Sequence, residues 1–585
     1  MTAHQAAFEL EQFLGDPRER GSRMSFHTQM AFDEREAPAL PAIAALREWG
    51  FPAHLVPPDA GGRLRSAEEL LYICRSLARR DLSLTVSYGT TMLTALPVWN
   101  WGDDGQRARV GELIKAGGFG GFGLTERAHG SDLLASDLVA EPAPDGDGFV
   151  VTGTKWPINN ATRGSVATLF ARTGSGPRGY SLLLLDKERS ATGRWHNEPR
   201  VPTMGLRGCD FSGLTFDRTP FAAGTVIGGR GRGLEKILKT LQITRSLIAP
   251  LSLGAADTAV RVALEHACHR RLYGGTAFAI PVIRQQLMSA YLDLLIAECV
   301  ALPTARAFSL APARLSVWSA VTKYMVPVLA DEIIHSAGSV LGSRHFLRED
   351  VADGIFQKVK RDHSIVSVFD GTTHVNLQVV ASQLPSLTWS QAPHSARSSD
   401  TVSMAELFSR SEQVAWNPRQ PGLRLTNDGR DEITQSWERA AATVTRLCSD
   451  GAGGLTHAAA TDLADAVGAV DKLWQRQQAD IQQTLAEEDN LHSSARGFEL
   501  ARRHCLLHAA ACCVHTWLAN RQQPGTFIST GEWLVLCLHR ILDRLEPVLR
   551  GESPHSAVVE REMLRCLTEN RLLSLTPFRL GGALS

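Results

Sequence analysis

Several features of secreted, membrane-bound and nucleic-acid-binding proteins are missing from this 585-residue sequence. The ten cysteines form no CxxC pair, so we expect reduced thiols in the protein core rather than disulfides or a zinc site. We find no apolar leader near the N-terminus and no unbroken apolar run of the roughly 20 residues that a membrane span needs. Lysine plus arginine and aspartate plus glutamate both total 61, which leaves no excess positive charge for nucleic acid or an anionic membrane. We therefore expect a cytoplasmic protein that has neither nucleic acid nor a membrane as its partner.

The first 232 residues divide into a helical part and a β part. Residues 1–117 are predicted to be helical, and Ser66-Ala-Glu-Glu69 is a capping box that opens a helix with an apolar face. Residues 118–232 contain short apolar or alternating runs, such as Phe149–Thr152, which predict a β-domain. Asp145-Gly-Asp-Gly148 supplies the turn chemistry of a hairpin within it.

Helical periodicity returns in long pieces after residue 232. Four long helices favour a bundle in the domain predicted for residues 233–386, and we expect them at roughly 233–272, 281–311, 313–337 and 355–386. Residues 387–402, with serine, proline and glutamine, are predicted to be a linker. Residues 403–585 are predicted to be an additional helical domain, with helices near 496–521 and 529–550. The predicted fold class is mostly α with a central β-domain (α+β).

The most informative run occupies residues 118–132, Gly-Phe-Gly-Gly-Phe-Gly-Leu-Thr-Glu-Arg-Ala-His-Gly-Ser-Asp. Glycines allow a backbone to approach a flat ring or a phosphate, and N–H groups with the Thr125 and Ser131 hydroxyls can satisfy acceptors there. Taken alone, the run is equally compatible with a tight strand and turn that bind nothing.

The segment Leu124–Asp132 resembles the flavin-binding TExxxGSD motif of the acyl-CoA dehydrogenase and acyl-CoA oxidase superfamily. Five further segments match motifs of that superfamily in the same order: Gly153–Asn160, Met204–Gly208, His269–Gly274, Arg361-Asp362 and Phe369–Thr372. The resemblance covers about two thirds of the chain, residues 1–386. It implies an N-terminal helical domain, a middle β-barrel and a C-terminal four-helix bundle, followed here by the additional helical domain.

The resemblance also implies FAD as the cofactor. At matching positions in relatives, Thr125 would bond the flavin pyrimidine edge and Ser131 the pyrophosphate. Asn159 stands in place of a threonine near flavin N5, and Pro157 in place of an aromatic residue that packs on the ring. The implied cofactor-binding residues are Phe122, Leu124, Thr125, Gly130, Ser131, Asn159, Arg270, Tyr273, Gln285, His335, Thr372 and His374.

Arg270 matches an arginine that reaches the FAD of a neighbouring subunit in relatives. A fixed guanidinium suits pyrophosphate oxygens, although an isolated arginine is more simply a helix-surface residue. The resemblance therefore implies a homodimer or homotetramer.

Asp370 is the implied catalytic base. Removing the α proton of an acyl thioester while hydride leaves the β carbon requires a carboxylate near the α carbon and a hydride acceptor opposite. Asp370 stands where the superfamily motif YEGT carries its glutamate, and nitroalkane oxidases of this superfamily use aspartate there. Other members carry the base on an earlier helix, at the position of Thr244, which has no basic group.

Arg245 and Gly371 are the implied substrate-binding residues. Arg245 matches an arginine near the active-site entrance of relatives, and the backbone N–H of Asp370 would bind the thioester carbonyl. Gln242 replaces the acidic neighbour often found in that segment. This replacement weakens a grip on the adenosine end of CoA and leaves an acyl carrier protein open as the alternative carrier.

Two other patterns are predicted to have no ligand. The run Gly228–Gly233 lacks the spacing of a phosphate-binding loop and is predicted to be a hinge. His504, His508, Cys512 and His515 recur at helical spacing on an apolar segment. Without carboxylate partners or an HExxH pattern, core packing is favoured and no metal is expected.

The predicted function is an FAD-dependent dehydrogenase that introduces an α,β double bond into an acyl thioester, with specialised lipid or natural-product biosynthesis favoured over bulk β-oxidation. Acyl-CoA or an acyl carrier protein would be the substrate, and an electron-transfer flavoprotein or O2 the electron acceptor. An oxidase or desaturase-epoxidase that uses O2 is one alternative. A non-catalytic flavin-binding relative that protects nucleic acid is the other.

Overall fold

The computed structural model describes residues 3–144, 146–190, 194–389, 402–419, 422–451, 455–488, 490–523 and 525–582. Asp145 of the predicted hairpin turn and residues 390–401 of the predicted linker lie outside these ranges. The described helices and the central sheet confirm the predicted fold class, whereas the domain boundaries stay predictions.

Six helices precede the first strand: α1 (Gln5–Leu14), α2 (Phe26–Glu34), α3 (Leu40–Trp49), α4 (Ala67–Ala78), α5 (Leu82–Trp101) and α6 (Asp104–Lys115). The Ser66 hydroxyl accepts a hydrogen bond from the Glu69 N–H at 3.3 Å, so the predicted N-cap of α4 is present. Asp103 and Gln106 form a reciprocal capping box at the start of α6.

The central part is a seven-stranded sheet: β1 (Phe119–Gly123), β2 (Val139–Pro142), β3 (Phe149–Asn159), β4 (Gly164–Arg172), β5 (Tyr180–Asp186), β6 (Trp195–Asn197) and β7 (Phe211–Phe221). The strand order is β1-β4-β2-β3-β7-β6, and β5 pairs with β4. β1 runs parallel to β4, while β2 and β3 form the predicted antiparallel hairpin. The sheet buries an apolar core of its own, and α5 packs against β1.

The elements that follow the sheet, up to residue 389, are α7 (Gly233–Leu247), α8 (Ala249–His269), β8 (Arg271–Leu272), β9 (Gly275–Thr276), α9 (Pro281–Leu310), α10 (Leu315–Leu341), α11 (Ile355–His363) and α12 (Thr373–Trp389). The prediction of one helix over 233–272 was wrong, because α7 and α8 meet at Ile248, just before Pro250. Proline has no N–H to donate and clashes with the preceding turn, so it starts a new helix.

The predicted helix 355–386 is also two helices, α11 and α12. Between them Asp370 has a φ of 54° and Gly371 a φ of 101°. These left-handed conformations cannot continue a right-handed helix. The break therefore places Asp370 on a bend rather than on a helix face.

The C-terminal region consists of further helices: α13 (Met404–Phe408), α14 (Glu432–Gln435), α15 (Trp437–Ser449), α16 (His457–Glu487), α17 (Ala495–Asn520), α18 (Glu532–Leu545) and α19 (Ser556–Thr568). α17 packs against α9, α12 and α18. The last described residues return to the start of the chain, where Gln12 Nε2 donates to the Leu580 carbonyl at 3.2 Å.

All ten cysteines are free thiols, and seven of them are buried. Two helical stretches, residues 233–269 and 281–310, are long and apolar enough to cross a membrane by length and composition. Within each apolar window, 94% of the residues are buried inside the protein. Core helices pass the same test, so these stretches give only weak support for a membrane span.

Candidate active site

The bend that carries Asp370 is held by side chains from α7 and α12. Arg245 Nε donates to the Asp370 carbonyl at 3.3 Å. Asn376 Nδ2 donates to the carbonyls of Gly371 and Thr372 at 2.9 and 2.8 Å. The Thr372 hydroxyl accepts from the Val375 N–H at 3.3 Å at the start of α12. These contacts fix the backbone from which the Asp370 carboxyl group projects.

The Asp370 carboxyl group is desolvated and faces two cations. Burial raises its pKa above the ordinary value, while Lys323, the Thr244 side chain and Arg245 lower it, with a net rise. The residue as a whole is half-buried. A carboxylate with a raised pKa is a stronger proton acceptor than one in water.

Lys323 is a site residue that the sequence analysis missed. It lies on α10 with 1% of its surface exposed, and its Nζ donates to the Val366 carbonyl at 2.7 Å. Burial lowers its pKa to about 8, which Asp370 opposes. Its signal in the sequence was a single lysine inside the apolar run from Leu315 to Leu329.

Thr244 and Asp370 come from the two positions that carry the base in different members of the superfamily. The structure brings them together, since the Thr244 side chain lies close enough to the Asp370 carboxyl group to lower its pKa, while the Thr244 hydroxyl donates to the Leu241 carbonyl at 3.3 Å. Thr244 is thus a partner of the implied base and not a replacement for it. The adjacent Arg245 is buried, and burial lowers its pKa to about 10.

The glycine-rich segment ends in a loop that is locked by a buried ion pair. Lys155 Nζ on β3 donates to Glu126 Oε1 at 2.6 Å and to the Leu124 carbonyl at 3.0 Å. Glu126 also accepts from the N–H groups of Asp137 and Leu138, at 2.7 and 3.1 Å. Glu126 and Lys155 therefore hold both ends of the loop against the sheet.

Free polar groups lie along this locked loop. Neither the Thr125 hydroxyl nor the Ser131 hydroxyl hydrogen-bonds to any residue that the structure describes. No atom lies within 4 Å of the position that a Cβ on Gly130 would occupy. Phe122 is buried in β1 and Leu124 is half-buried beside it. Ser131 and Gly130 are exposed, so hydroxyls without described protein partners and open space at a glycine are available to a flat, anionic cofactor.

Three acyl-CoA dehydrogenase domains match the chain in order: the N-terminal domain over residues 24–117, the middle domain over 121–219 and the C-terminal domain over 231–384. The protein belongs to the acyl-CoA dehydrogenase family. The family is FAD-dependent, so the free groups around Thr125, Gly130 and Ser131 fit the cofactor that its members use. Its members are oxidoreductases that act on acyl thioesters.

Relatives of known structure and sequence cover different parts of this acyl-CoA dehydrogenase family member. Human mitochondrial short-chain specific acyl-CoA dehydrogenase is 28% identical over 346 residues, which cover 57% of this chain and 80% of the human protein. An acyl-CoA dehydrogenase from Bacillus anthracis, complexed with FAD, aligns over 97% of this chain and 94% of its own, with a TM-score of 0.67 and 15% identity. The prolyl acyl carrier protein oxidase AnaB aligns over 65% of this chain and 97% of its own, with a TM-score of 0.58 and 17% identity. At these identities the two structures show a shared fold, which in the Bacillus protein extends over the C-terminal helices.

Asn159, the substitute for the family threonine, is turned towards α5. Its Nδ2 donates to the Thr90 hydroxyl at 3.0 Å, and its Oδ1 accepts from the Asn160 N–H at 2.9 Å. The neighbouring Trp156 has the Arg127 guanidinium over its ring, 4.0 Å from the ring centroid. The side-chain amide of Asn159 therefore joins β3 to α5, and its role towards flavin stays a prediction.

Five of the implied cofactor-binding residues lie on the surface of the single chain: Arg270, Tyr273, Gln285, His335 and His374. Tyr273, at the tip of the β8–β9 hairpin, is 97% exposed. The Arg270 side chain forms no hydrogen bond or ion pair with any described residue. No described bond connects these five residues to the loop that contains Thr125 in the same chain. Thr372, in contrast, lies two residues after Asp370.

Two of the matched motifs contact each other and have a structural role. Leu206 N–H donates to Asp362 Oδ1 at 2.6 Å, and Arg361 Nη1 donates to the Met204 carbonyl at 3.1 Å. A Cβ on Gly205 would lie 2.3 Å from the Arg361 carbonyl oxygen, so only glycine allows this approach. The motifs at 204–208 and 361–362 thus join the sheet to the helical bundle.

A serine-histidine-aspartate relay also occurs in the bundle. His363 Nε2 lies 2.9 Å from the Ser252 hydroxyl, and His363 Nδ1 lies 2.6 Å from Asp331 Oδ1. Such a relay activates a serine nucleophile when a substrate can reach it. Ser252 and His363 have no exposed surface, so we assign this relay a structural role.

Proposed function

We propose that this protein is an FAD-dependent dehydrogenase that introduces an α,β double bond into an acyl thioester, with Asp370 as the base. The observation that carries the proposal is the desolvated Asp370 carboxyl group at the α11–α12 bend, between Lys323 and Arg245. FAD, when bound, supplies the acceptor for the β hydride. Asp370 takes the α proton, and the raised pKa of its carboxyl group favours that transfer.

Backbone donors at the same bend support a thioester substrate. The N–H groups of Asp370 and Gly371 donate to no residue within the described ranges. A thioester carbonyl gains negative charge as its α proton leaves, and preorganised N–H donors stabilise such charge. Arg245, which holds the Asp370 carbonyl, keeps these donors in place.

We infer that Gln242 does not grip the adenosine end of CoA, because its side chain is bonded to the C-terminal region. Gln242 Nε2 donates to the Arg424 carbonyl at 2.7 Å, so this position is used to bind the C-terminal region. Gln242 is buried as a result. An acyl group on a carrier protein would place the reaction in specialised lipid or natural-product biosynthesis.

Anaerobic titration of the flavin-loaded protein with saturated acyl-CoA and acyl-carrier-protein series tests the function and the carrier together. We expect one series to bleach the flavin absorbance and yield the enoyl thioester. A peroxide assay after admission of air separates an oxidase from a dehydrogenase that uses an electron-transfer flavoprotein. If neither series bleaches the flavin, the proposed function is wrong.

We further propose a homodimer or homotetramer in which Arg270 reaches the FAD of a second subunit. Its guanidinium has no described partner, and the segment that follows contains large exposed apolar residues, Tyr273 in the adjoining hairpin and Val282 at the start of α9. Arg270→Ala is expected to lower the FAD content without changing the mass found by light scattering. A monomeric wild-type protein that retains FAD would contradict this arrangement.

A further inference from the structure

A buried cluster in the C-terminal region brings together three side chains that commonly bind metals. Asp431 lies just before α14, and His504 and His508 lie one turn apart on α17. Asp431 Oδ2 is 3.5 Å from His504 Nε2 and 3.9 Å from His508 Nδ1. The three ligand atoms all lie within 4.8 Å of one another, and none of the residues is more than 3% exposed.

The ligand atoms that face each other have no hydrogen-bond partners. Asp431 Oδ2, His504 Nε2 and His508 Nδ1 are all buried and unsatisfied, and so is the other ring nitrogen of His508, Nε2. Buried polar groups in native proteins are nearly always bonded, so three orphaned atoms that converge on one point require an explanation. A single cation between them would satisfy all three.

Contacts on the outer side orient the carboxylate towards the histidines. Trp318 Nε1 on α10 donates to Asp431 Oδ1 at 2.7 Å, which leaves Oδ2 to face α17. Outer hydrogen bonds of this kind orient the ligands of many metal sites.

We propose that Asp431, His504 and His508 bind one zinc ion. Two imidazoles and a carboxylate suit Zn2+, and histidines four residues apart on one helix are a recurrent zinc-binding pair. Tetrahedral ligands at about 2.1 Å from zinc lie about 3.4 Å apart, so small side-chain rotations bring this cluster to binding geometry. A fourth ligand position remains for water or another group.

The zinc ion would have a structural role. Its ligands come from the segment before α14 and from α17, and Trp318 connects the carboxylate to α10 of the bundle. The ion would therefore fasten the C-terminal helices to the part of the chain that matches the acyl-CoA dehydrogenase domains. The sequence analysis named His504 and His508 but expected no metal, because Asp431, the missing carboxylate partner, precedes His504 by 73 residues and belongs to no histidine motif.

Metal content tests the site on the flavin-loaded protein after equilibration with Zn2+ and gel filtration. We expect about one zinc per chain in the wild type. Asp431→Asn and His508→Ala are expected to lose most of it, while His515→Ala is the matched control. His515 lies on the same helix, but its Nε2 bonds to the Ser436 hydroxyl at 2.9 Å. Near-ultraviolet circular dichroism and bound flavin show whether each variant is folded.

Zinc K-edge absorption on the wild type tests the ligands without any substitution. We expect two imidazoles and an oxygen donor at about 2.0 to 2.1 Å. Less than about a tenth of an equivalent of zinc in the wild type, a sulfur-rich ligand set, or full zinc content in folded Asp431→Asn and His508→Ala would each overturn the proposal.

Discussion

The chemical character of Asp370 depends on residues from distant parts of the chain. Thr244 and Arg245 come from α7, Lys323 from α10, and the left-handed bend from Asp370 and Gly371 themselves. The motif that contains Asp370 predicted its position. Its neighbours could not be predicted in the same way, because a lone lysine in an apolar run gives no indication of which carboxylate it faces.

Lys323→Met tests the electrostatic part of the site. Asp370 must be ionised to accept a proton, so the rate of flavin reduction should rise with pH through its pKa. Lys323 lowers that pKa. Its removal should therefore move the acidic limb of the pH profile upward by about one pH unit or more. The measurement is the anaerobic reduction rate between pH 5 and about 9, a range over which wild-type Lys323, whose pKa is about 8, loses most of its charge.

Lys360→Met is the control for this experiment, because Lys360 lies exposed on α11. The control should keep the wild-type profile. A Lys323→Met profile with an unchanged acidic limb, or one moved to lower pH, would contradict the assigned role of Lys323.

At the scale of secondary-structure elements, periodicity predicted which segments are helical but not where helices break. The apolar pattern continues across Pro250 and across Asp370-Gly371, so 233–272 and 355–386 each appeared as one helix. In the structure, the first of these stretches is divided by a proline at the start of α8, and the second is divided by left-handed backbone at the bend. The second break leaves the N–H groups of Asp370 and Gly371 without described partners, and the proposed function uses these groups.

Lys155→Met tests how β3 holds the loop that contains Thr125 and Ser131, which we expect to bind flavin. The substitution leaves the Glu126 carboxylate buried without its cation, which should lower the free energy of unfolding by about 3 to 5 kcal/mol. We also expect less FAD per chain, because the loop that carries Thr125 and Ser131 loses its anchor. Urea unfolding and the ratio of flavin to protein absorbance measure the two effects.

Thr154→Ala serves as the neighbouring control on β3, since it removes only the hydrogen bond of Thr154 to Thr215. Its effect should stay near 1 kcal/mol, with FAD retained. Equal losses in the Lys155 and Thr154 variants would argue against a special role of the ion pair.

At the scale of the whole molecule, the order of helical, β and helical parts was predictable. The packing of the C-terminal segment against helices from the first two thirds of the chain was not. Leu573 N–H donates to Asp257 Oδ2 at 2.9 Å, and the Ser574 hydroxyl donates to Glu298 Oε1 at 2.8 Å. Arg75 Nη2 donates to the Leu573 carbonyl at 2.8 Å. Two of these three bonds involve a backbone group, and the two residues joined by each bond are more than 270 positions apart in the sequence. No sequence pattern therefore reveals them.

A chain that ends at Asn570 should be destabilised, because Asp257 and Glu298 lose buried hydrogen-bond donors. The loss of such partners costs about 1 to 3 kcal/mol each, so we expect a total of several kcal/mol by urea unfolding. A chain that ends at Gly582 keeps every contact described above and should unfold like the wild type. Equal stability of the two shortened chains would show that the returning segment contributes little.

The most direct test of the proposed chemistry compares the wild type with Asp370→Asn in rapid anaerobic mixing with a saturated acyl thioester that reduces the wild type. Asparagine keeps the size of the side chain but cannot accept the α proton. We predict a fall in the rate of flavin reduction of about 100- to 10,000-fold, with FAD content unchanged. Reduction of the Asp370→Asn flavin at the wild-type rate would contradict the account of Asp370 as the base.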